Sequence, residues 1–327
     1  MNNKHGHKNR YKLNKAFTMA EILISLTIIG IIAAITLPSL RANINEKAWA
    51  TQRKALYSRM SQAISMLPSL NGYGVVMNAD GTVNYTETNS KAAQVFVTEG
   101  LSKVLKINNI CDSTNLSKCG IPEKLTNMSN NKLDFPIKLS ELNPLFSHNG
   151  IPQKDINTMV TAFETSNGES VGVFYNPLCL NFEQKYYSGS RIYSQPWMCA
   201  NFVYDLNGRT GPNKMGKDIG FITALYPTES VVVAPMPFDN DLTGGNYSAN
   251  AFTEGPARKA CTAKGGRVPT LEELAAMFYN RSLTQLSDKM YFARRSSNNE
   301  KYFFYSDLGD VRGTGDGLYG YVRCIKR

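Results

Sequence analysis

Histidine is nearly absent: the 327-residue chain holds three, and His5 and His7 both lie in the first 16 residues, which contain no acid. With His148 alone in the body, multi-histidine metal centres and paired-histidine mechanisms are excluded. There is no Gly-x-Ser-x-Gly elbow, no Gly-x-x-x-x-Gly-Lys-Ser/Thr phosphate loop, no His-Glu-x-x-His helix and no Cys-x-x-Cys pair, which removes the commonest nucleophile, nucleotide and zinc chemistries. Charge is sparse at 19%, while 42% of residues are hydrophobic, so the chain is neither disordered nor collagenous and can bury a core in more than one unit. The formal net charge is +10, of which Lys4, Lys8, Arg10, Lys12 and Lys15 supply five and leave about +5 for the rest.

What is present begins with residues 17–40, FTMAEILISLTIIGIIAAITLPSL, a 24-residue stretch whose one charge is Glu21. At ~1.5 Å per residue it reaches roughly 36 Å, enough for a hydrocarbon core of about 30 Å, and predicts a membrane-spanning helix. The basic leader predicts a cytoplasmic N-terminus and an exported body. A secretory signal fits less well, because its apolar core is shorter, roughly 7–15 residues, and ends in a small-residue cleavage site on the far side. A carboxylate costs on the order of 2.5–3.5 kcal/mol at the bilayer centre and less toward the interface. Glu21 therefore needs either an interfacial position beside the first helical turn, where the helix dipole favours an anion, or a cationic partner.

The stretch Lys15-Ala16-Phe17-Thr18-Met19-Ala20-Glu21 resembles the processing motif of type IV prepilins and of type II secretion pseudopilins. Ala16 stands where that family usually has Gly, and Met19-Ala20 where it has a bulkier aliphatic pair. The resemblance implies cleavage between Ala16 and Phe17 by a prepilin peptidase and N-methyltransferase. It also implies that Glu21 pairs with the freed amine of Phe17, on its own or a neighbouring subunit. Pro38 matches a proline that bends or locally melts the helix in that family. Beyond it, Ile44, Ala48, Leu56, Met60, Ala63, Ile64 and Leu67 recur at spacings that predict an amphipathic continuation, with Arg53, Lys54, Arg59 and Gln62 between them, until Pro68 and Gly72.

Residues 69–158 are rich in Asn, Ser, Thr and Lys and read mainly as loops, with a helix predicted at 92–105 over Val95, Phe96, Leu101 and Val104. From Met159 onward, two apolar runs flank Asn167-Gly168, the pattern of a β-hairpin, and further strands are predicted at 201–206, 219–226 and 230–234. Together they predict an antiparallel sheet laid on the N-terminal helix. Between two strands, Asp205, Asn207 and Asp218 are candidate ligands for a hard cation such as Ca²⁺, in a loop resembling one found in pilin-like proteins. Arg209 and Lys214 place positive charge in that loop, so a plain Asx- and Gly-stabilised turn is the favoured reading.

After a Gly- and Asn-rich bridge at 240–250, the run from Ala257 through Cys261, Gly265-Gly266-Arg267-Val268-Pro269-Thr270 and Leu274, with Tyr321-Val322-Arg323-Cys324 at the end, resembles small C-type-lectin-like modules related to formylglycine-generating enzymes. Thr270 with Glu273 reads as a capping box. Six cysteines in an exported body read as disulfides. They allow 15 connectivities. Proximity and this resemblance select Cys111 with Cys119, Cys179 with Cys199, and Cys261 with Cys324. The segment from Ala257 holds thirteen Lys and Arg against seven acids, a solvated surface by default and a glycan- or DNA-binding one on the sharper reading.

The expected fold is α+β: a leader (1–16), a long N-terminal helix (17–68, membrane-spanning over 17–40) packed on a pilin-like antiparallel sheet domain (69–240), and a disulfide-stapled C-type-lectin-like module (241–327). The expected function is a structural one, a minor pilin or pseudopilin of a type IV pilus or type II secretion filament, with no cofactor beyond the candidate calcium. Its expected partners are the prepilin peptidase, other pilins and the inner membrane, and its body is expected to be periplasmic or extracellular. The alternative is a filament-displayed adhesin using the C-terminal segment on glycan or DNA. Formylglycine-type catalysis is disfavoured, because it needs free reactive cysteines or a copper site.

Overall fold

The computed structural model describes residues 19–67, 73–84, 91–135, 160–177, 186–188, 191–193, 197–226, 232–233, 241–248, 256–263, 265–286, 290–294, 301–305, 310–313 and 319–325, for some of which, 35–45 among them, only the backbone. The chain forms two compact units, divided between Ala48 and Trp49.

Helix α1 (Met19–Met66) is 48 residues long. From Met19 to Ile32 its side chains are apolar apart from Glu21, Ser25 and Thr27, and they are exposed, from Met19 at 77% to Ile32 at 56%. The two hydroxyls in this run are satisfied within the helix: Ser25 Oγ donates to the Glu21 carbonyl and Thr27 Oγ1 to that of Leu23, each at 2.7 Å. Such back-bonding lets a polar residue sit in an apolar surrounding without water. The helical backbone runs on through Pro38. A proline deletes one backbone donor, and the turns on either side carry the helix across it.

In the second unit α1 turns amphipathic. Leu56, Met60, Ala63 and Ile64, spaced by four, three and one, form a single buried stripe. A helical stretch from residue 91 widens to a π turn at Phe96–Gly100 and tightens to a 3-10 turn at Leu101–Lys103, burying Phe96, Val97 and Leu101 and leaving Val104 exposed. The strands follow in order: β1 (Ile107–Cys111), β2 (Lys124–Thr126), β3 (Lys132–Asp134), β4 (Val160–Thr165), β5 (Ser170–Tyr175), β6 (Tyr186–Ser188), β7 (Arg191–Tyr193), β8 (Trp197–Asp205), β9 (Ile219–Tyr226), β10 (Val232–Val233) and β11 (Asp241–Ser248). After helices α2 (Pro256–Ala263) and α3 (Leu271–Tyr279) come β12 (Met290–Arg294), β13 (Lys301–Tyr305), β14 (Asp310–Gly313) and β15 (Tyr319–Ile325).

A six-stranded antiparallel sheet runs β1-β4-β5-β8-β9-β10, and a five-stranded sheet runs β11-β15-β12-β13-β14 with β12 and β15 parallel. The hairpin expected at Asn167-Gly168 joins β4 to β5, with Gly168 at φ +85° and its N–H donating to the Thr165 carbonyl at 3.0 Å. Every residue of β5 is buried. Val171, Val173 and Tyr175 face the α1 side, where Tyr175 stacks on Phe96 at 4.2 Å, while Phe174 faces the other side. Gly172 is needed there, since a Cβ would lie 2.6 Å from the Phe135 ring that packs edge-on to Phe174.

That other face is covered by α3: Leu271, Leu274, Ala275 and Phe278 share one core with Val160, Ala162, Phe174, Val203, Phe221 and Leu225. The core therefore runs without interruption from the six-stranded sheet into the segment beyond residue 240. Thr270 caps α3 in a capping box with Glu273, as expected, and the Glu273 carboxylate also takes both Arg267 guanidinium nitrogens, at 2.9 and 2.5 Å. A disulfide from Cys261 to Cys324 ties α2 to β15, beside the reciprocal backbone pair of Arg267 and Ile325.

Arg59 fixes α1 to the β4–β5 hairpin: its guanidinium lies 2.5 Å from Oε1 of Glu169, which is 4% exposed, and Thr165 Oγ1 donates to Oε2 of the same carboxylate. In its hydrogen-bonded orientation the Asn167 amide oxygen accepts from both terminal nitrogens of Arg59, at 3.3 and 2.7 Å. Removing a charged partner from a buried carboxylate costs about 2 kcal/mol. Arg59→Ala should lower the unfolding free energy by about that much in urea titrations followed by circular dichroism, and Arg59→Lys should restore part of it.

Candidate functional site

The N-terminal motif is built on the start of α1. Ala16 and Phe17 lie outside the described residues. Glu21 stands in the first turn of α1, exposed, among Ile22, Leu23, Ile24 and Leu26. An anion at a helix N-terminus is favoured by the dipole. Among the described residues no helix is long and apolar enough to cross a membrane. The described side chains of the apolar run end at Ala34, so the span expected over 17–40 lies partly outside them. Pro38 is in that part, and only its helical backbone is described.

The second feature is the seating of α1 on the body. Two cations set between the residues of the stripe contact the body directly. Arg53 is 5% exposed and donates to the Gly216 carbonyl at 3.4 Å, and Arg59 is held by Glu169 and Asn167. Beside them an open groove of about 430 Å³ runs between α1 and the hairpin, lined among others by Met60, Met66, Val104, Leu105 and Lys106. Glu169 carried no signal in the sequence beyond following the turn glycine directly.

The 205–218 loop brings Asp205, at 1% exposure, and Asp218, at 0%, into the interior, together with Asn207. Both oxygens of Asp218 accept peptide N–H groups, from Asn213 and Lys214, at 2.8 Å each. Asp205 Oδ1 accepts from the Asn207 N–H at 3.1 Å, and Asn207 Nδ2 donates to the Gly211 carbonyl at 3.0 Å. Asn207 Oδ1 is buried with no hydrogen-bond partner. Gly208, Asn213 and Gly216 adopt left-handed backbone, which lets the chain fold its N–H groups onto the two carboxylates.

Arg209 and Lys214 do not put their charge into the loop, contrary to the sequence reading: Arg209 donates to the Lys118 carbonyl at 2.9 Å and Lys214 Nζ to Asn130 Oδ1. Burial, with the Asp218 charge adding to it, pushes Asp205 up to about 7. Among the described residues no group of three or more His, Cys, Asp or Glu is arranged to hold a metal ion. The loop folds peptide N–H groups onto both oxygens of Asp218 and onto Oδ1 of Asp205, the pattern of a hydrogen-bonded turn.

Of the cysteines, Cys111 is bonded to Cys119, joining the end of β1 to a 3-10 turn at Leu116–Cys119, and Cys261 to Cys324. Cys199 is disulfide-bonded, and Cys179 lies outside the described residues, as does His148. No described cysteine is free. Strand β12 of the C-terminal segment supplies core: Tyr291 and Phe292 are 4% and 0% exposed.

Against known proteins, a family model described as the prokaryotic N-terminal methylation motif matches residues 11–37. No curated protein matches the chain, and no solved structure does. The chain thus carries the motif of type IV pilin-like proteins, which are processed by prepilin peptidase, anchored in a membrane and assembled with other pilins.

Because the carboxyl of Asp205 titrates higher when folded, at about 7, than the 3.8 of a free carboxyl, the folded state holds an extra proton between those values. Stability should be highest below this window and fall as pH rises from about 4 to about 7. Asp205→Asn, which keeps the Oδ1 acceptor, should flatten that slope in thermal melts taken across the range. A rise in stability on adding millimolar calcium at pH 8 to the unsubstituted protein, absent in the variant, would contradict the turn reading.

Proposed function

We propose that this protein is a structural subunit, a minor pilin or pseudopilin, cut by prepilin peptidase between Ala16 and Phe17 and assembled into a type IV pilus or type II secretion filament through α1. The observation that carries the reading is the match of residues 11–37 to the N-terminal methylation motif, at the head of a helix whose exposed side chains from Met19 to Ile32 are apolar apart from Glu21, Ser25 and Thr27, and whose one acid from Met19 to Ala34 is Glu21. Such a surface is stable only inside a bilayer or against other apolar helices, and the motif accounts for both in succession. The body is then exported with its disulfides, held on α1 by the Leu56–Ile64 stripe and Arg59. Glu21 offsets the ammonium that cleavage creates on Phe17, so a subunit is competent to join neighbours only after processing.

Its large body favours a minor over a bulk subunit. The reading assigns the chain a structural role, in keeping with a motif that belongs to structural proteins.

Mass spectrometry of the membrane-purified chain should find an N-terminus at N-methyl-Phe17. A chain beginning at Met1, or cut beyond Leu40, would overturn the proposal. Glu21→Val should leave membrane insertion intact and reduce incorporation into sheared filaments by an order of magnitude or more, about what losing a charge-assisted contact in an apolar setting removes.

A further inference from the structure

The expectation of a separate C-terminal module meets a specific obstacle in the core. The second face of the six-stranded sheet presents Val160, Phe174, Val203, Phe221 and Leu225, each at most 4% exposed, and what covers them is α3 with the turn that follows it. In the middle of this apolar contact lies a polar cluster at 0–1% exposure: Asn201 on β8, its cross-strand neighbour Thr223 on β9, and Asn280 immediately after α3.

The two amides bond reciprocally. Asn201 Nδ2 donates to Asn280 Oδ1 at 2.8 Å, and Asn280 Nδ2 donates to Asn201 Oδ1 at 3.1 Å. Thr223 Oγ1 donates to Asn201 Oδ1 at 2.7 Å and lies 3.3 Å from Asn280 Nδ2, which also reaches the Ala276 carbonyl at 2.8 Å. Apolar packing alone is non-directional and would tolerate α3 sliding or rotating on the sheet. A reciprocal amide pair is satisfied in one register only, and in any other it leaves two amides buried and unpaired. The β2–β3 hairpin adds a second tie, since the Met128 N–H donates to the Leu283 carbonyl at 3.1 Å and Asn127 Nδ2 to that of Ser282 at 3.3 Å.

We infer that residues 271–284 are a built-in cover for the sheet's second face, keyed in register by Asn201, Thr223 and Asn280, so that the sheet and the C-terminal segment open and close as one cooperative body. The inference does not depend on filament assembly. It does bear on the adhesin alternative, because a chain lacking residues 250–327 would expose an apolar sheet face and could not serve as a control for lost binding.

Native-state hydrogen exchange on the full detergent-solubilised chain, with disulfides intact and urea increased below the unfolding transition, tests this. Peptides from 271–284 and from 160–175 should lose protection in the same opening, with the same urea dependence. A separate opening of 271–284, with β5 still protected, would overturn the inference. Asn280→Ala should lower protection of both peptides together by roughly 10- to 100-fold, the range expected for leaving buried amides unpaired. Thr223→Ser, which keeps the hydroxyl, should stay close to the unsubstituted chain. A loss confined to 271–284, or no loss in Asn280→Ala, would remove the amide lock, and if that variant does not fold, the exchange pattern of the unsubstituted chain still decides the matter.

Discussion

The body of this protein depends on the burial of both faces of one antiparallel sheet. Strand β5 has no exposed residue, so its alternation of side chains demands an apolar partner above and below. The second half of α1, with the helical stretch after residue 91, supplies one partner, and α3 supplies the other. Sheets of this kind normally leave one face to water. Here the chain returns from the far side of its sequence to cover it, and that accounts for the capped helix α3 in the C-terminal segment.

Polar groups decide where those covers sit. On the α1 side a guanidinium is drawn to a nearly buried carboxylate at the hairpin, and on the α3 side two amides pair in the middle of an apolar contact. Neither arrangement adds much net stability beyond what burial supplies, because each group gives up water to make its bonds. Each makes the wrong register expensive, and that is its contribution. The 205–218 loop follows the same logic, folding peptide N–H groups onto two carboxylates that would otherwise be stranded in the interior.

The head of α1 is under the opposite condition. From Met19 to Ile32 its exposed side chains are apolar apart from two hydroxyls, which are returned to its own carbonyls, and Glu21, which sits in the first turn. A surface like that is complete only in lipid or against like helices. One continuous helix thus presents two chemistries, an apolar rod at one end and an amphipathic seat at the other, with the change of pattern after Pro38.

The sequence by itself determined whatever depends on near neighbours along the chain. The leader and Phe17–Glu21 motif, the helix stripe Leu56-Met60-Ala63-Ile64, the Asn167-Gly168 hairpin, the Thr270–Glu273 cap and the Cys111–Cys119 proximity are all set by spacing, turn chemistry or a short covalent loop. Only the tertiary structure decided that Arg53 meets Gly216 and Arg59 meets Glu169, that Arg209 and Lys214 leave the loop that carries them, and that Asn201, Thr223 and Asn280 meet. Those contacts join residues as far as 163 positions apart. A polar side chain on a helix flank or a strand reads the same whether it will face water or a buried partner, and packing alone distinguishes the two.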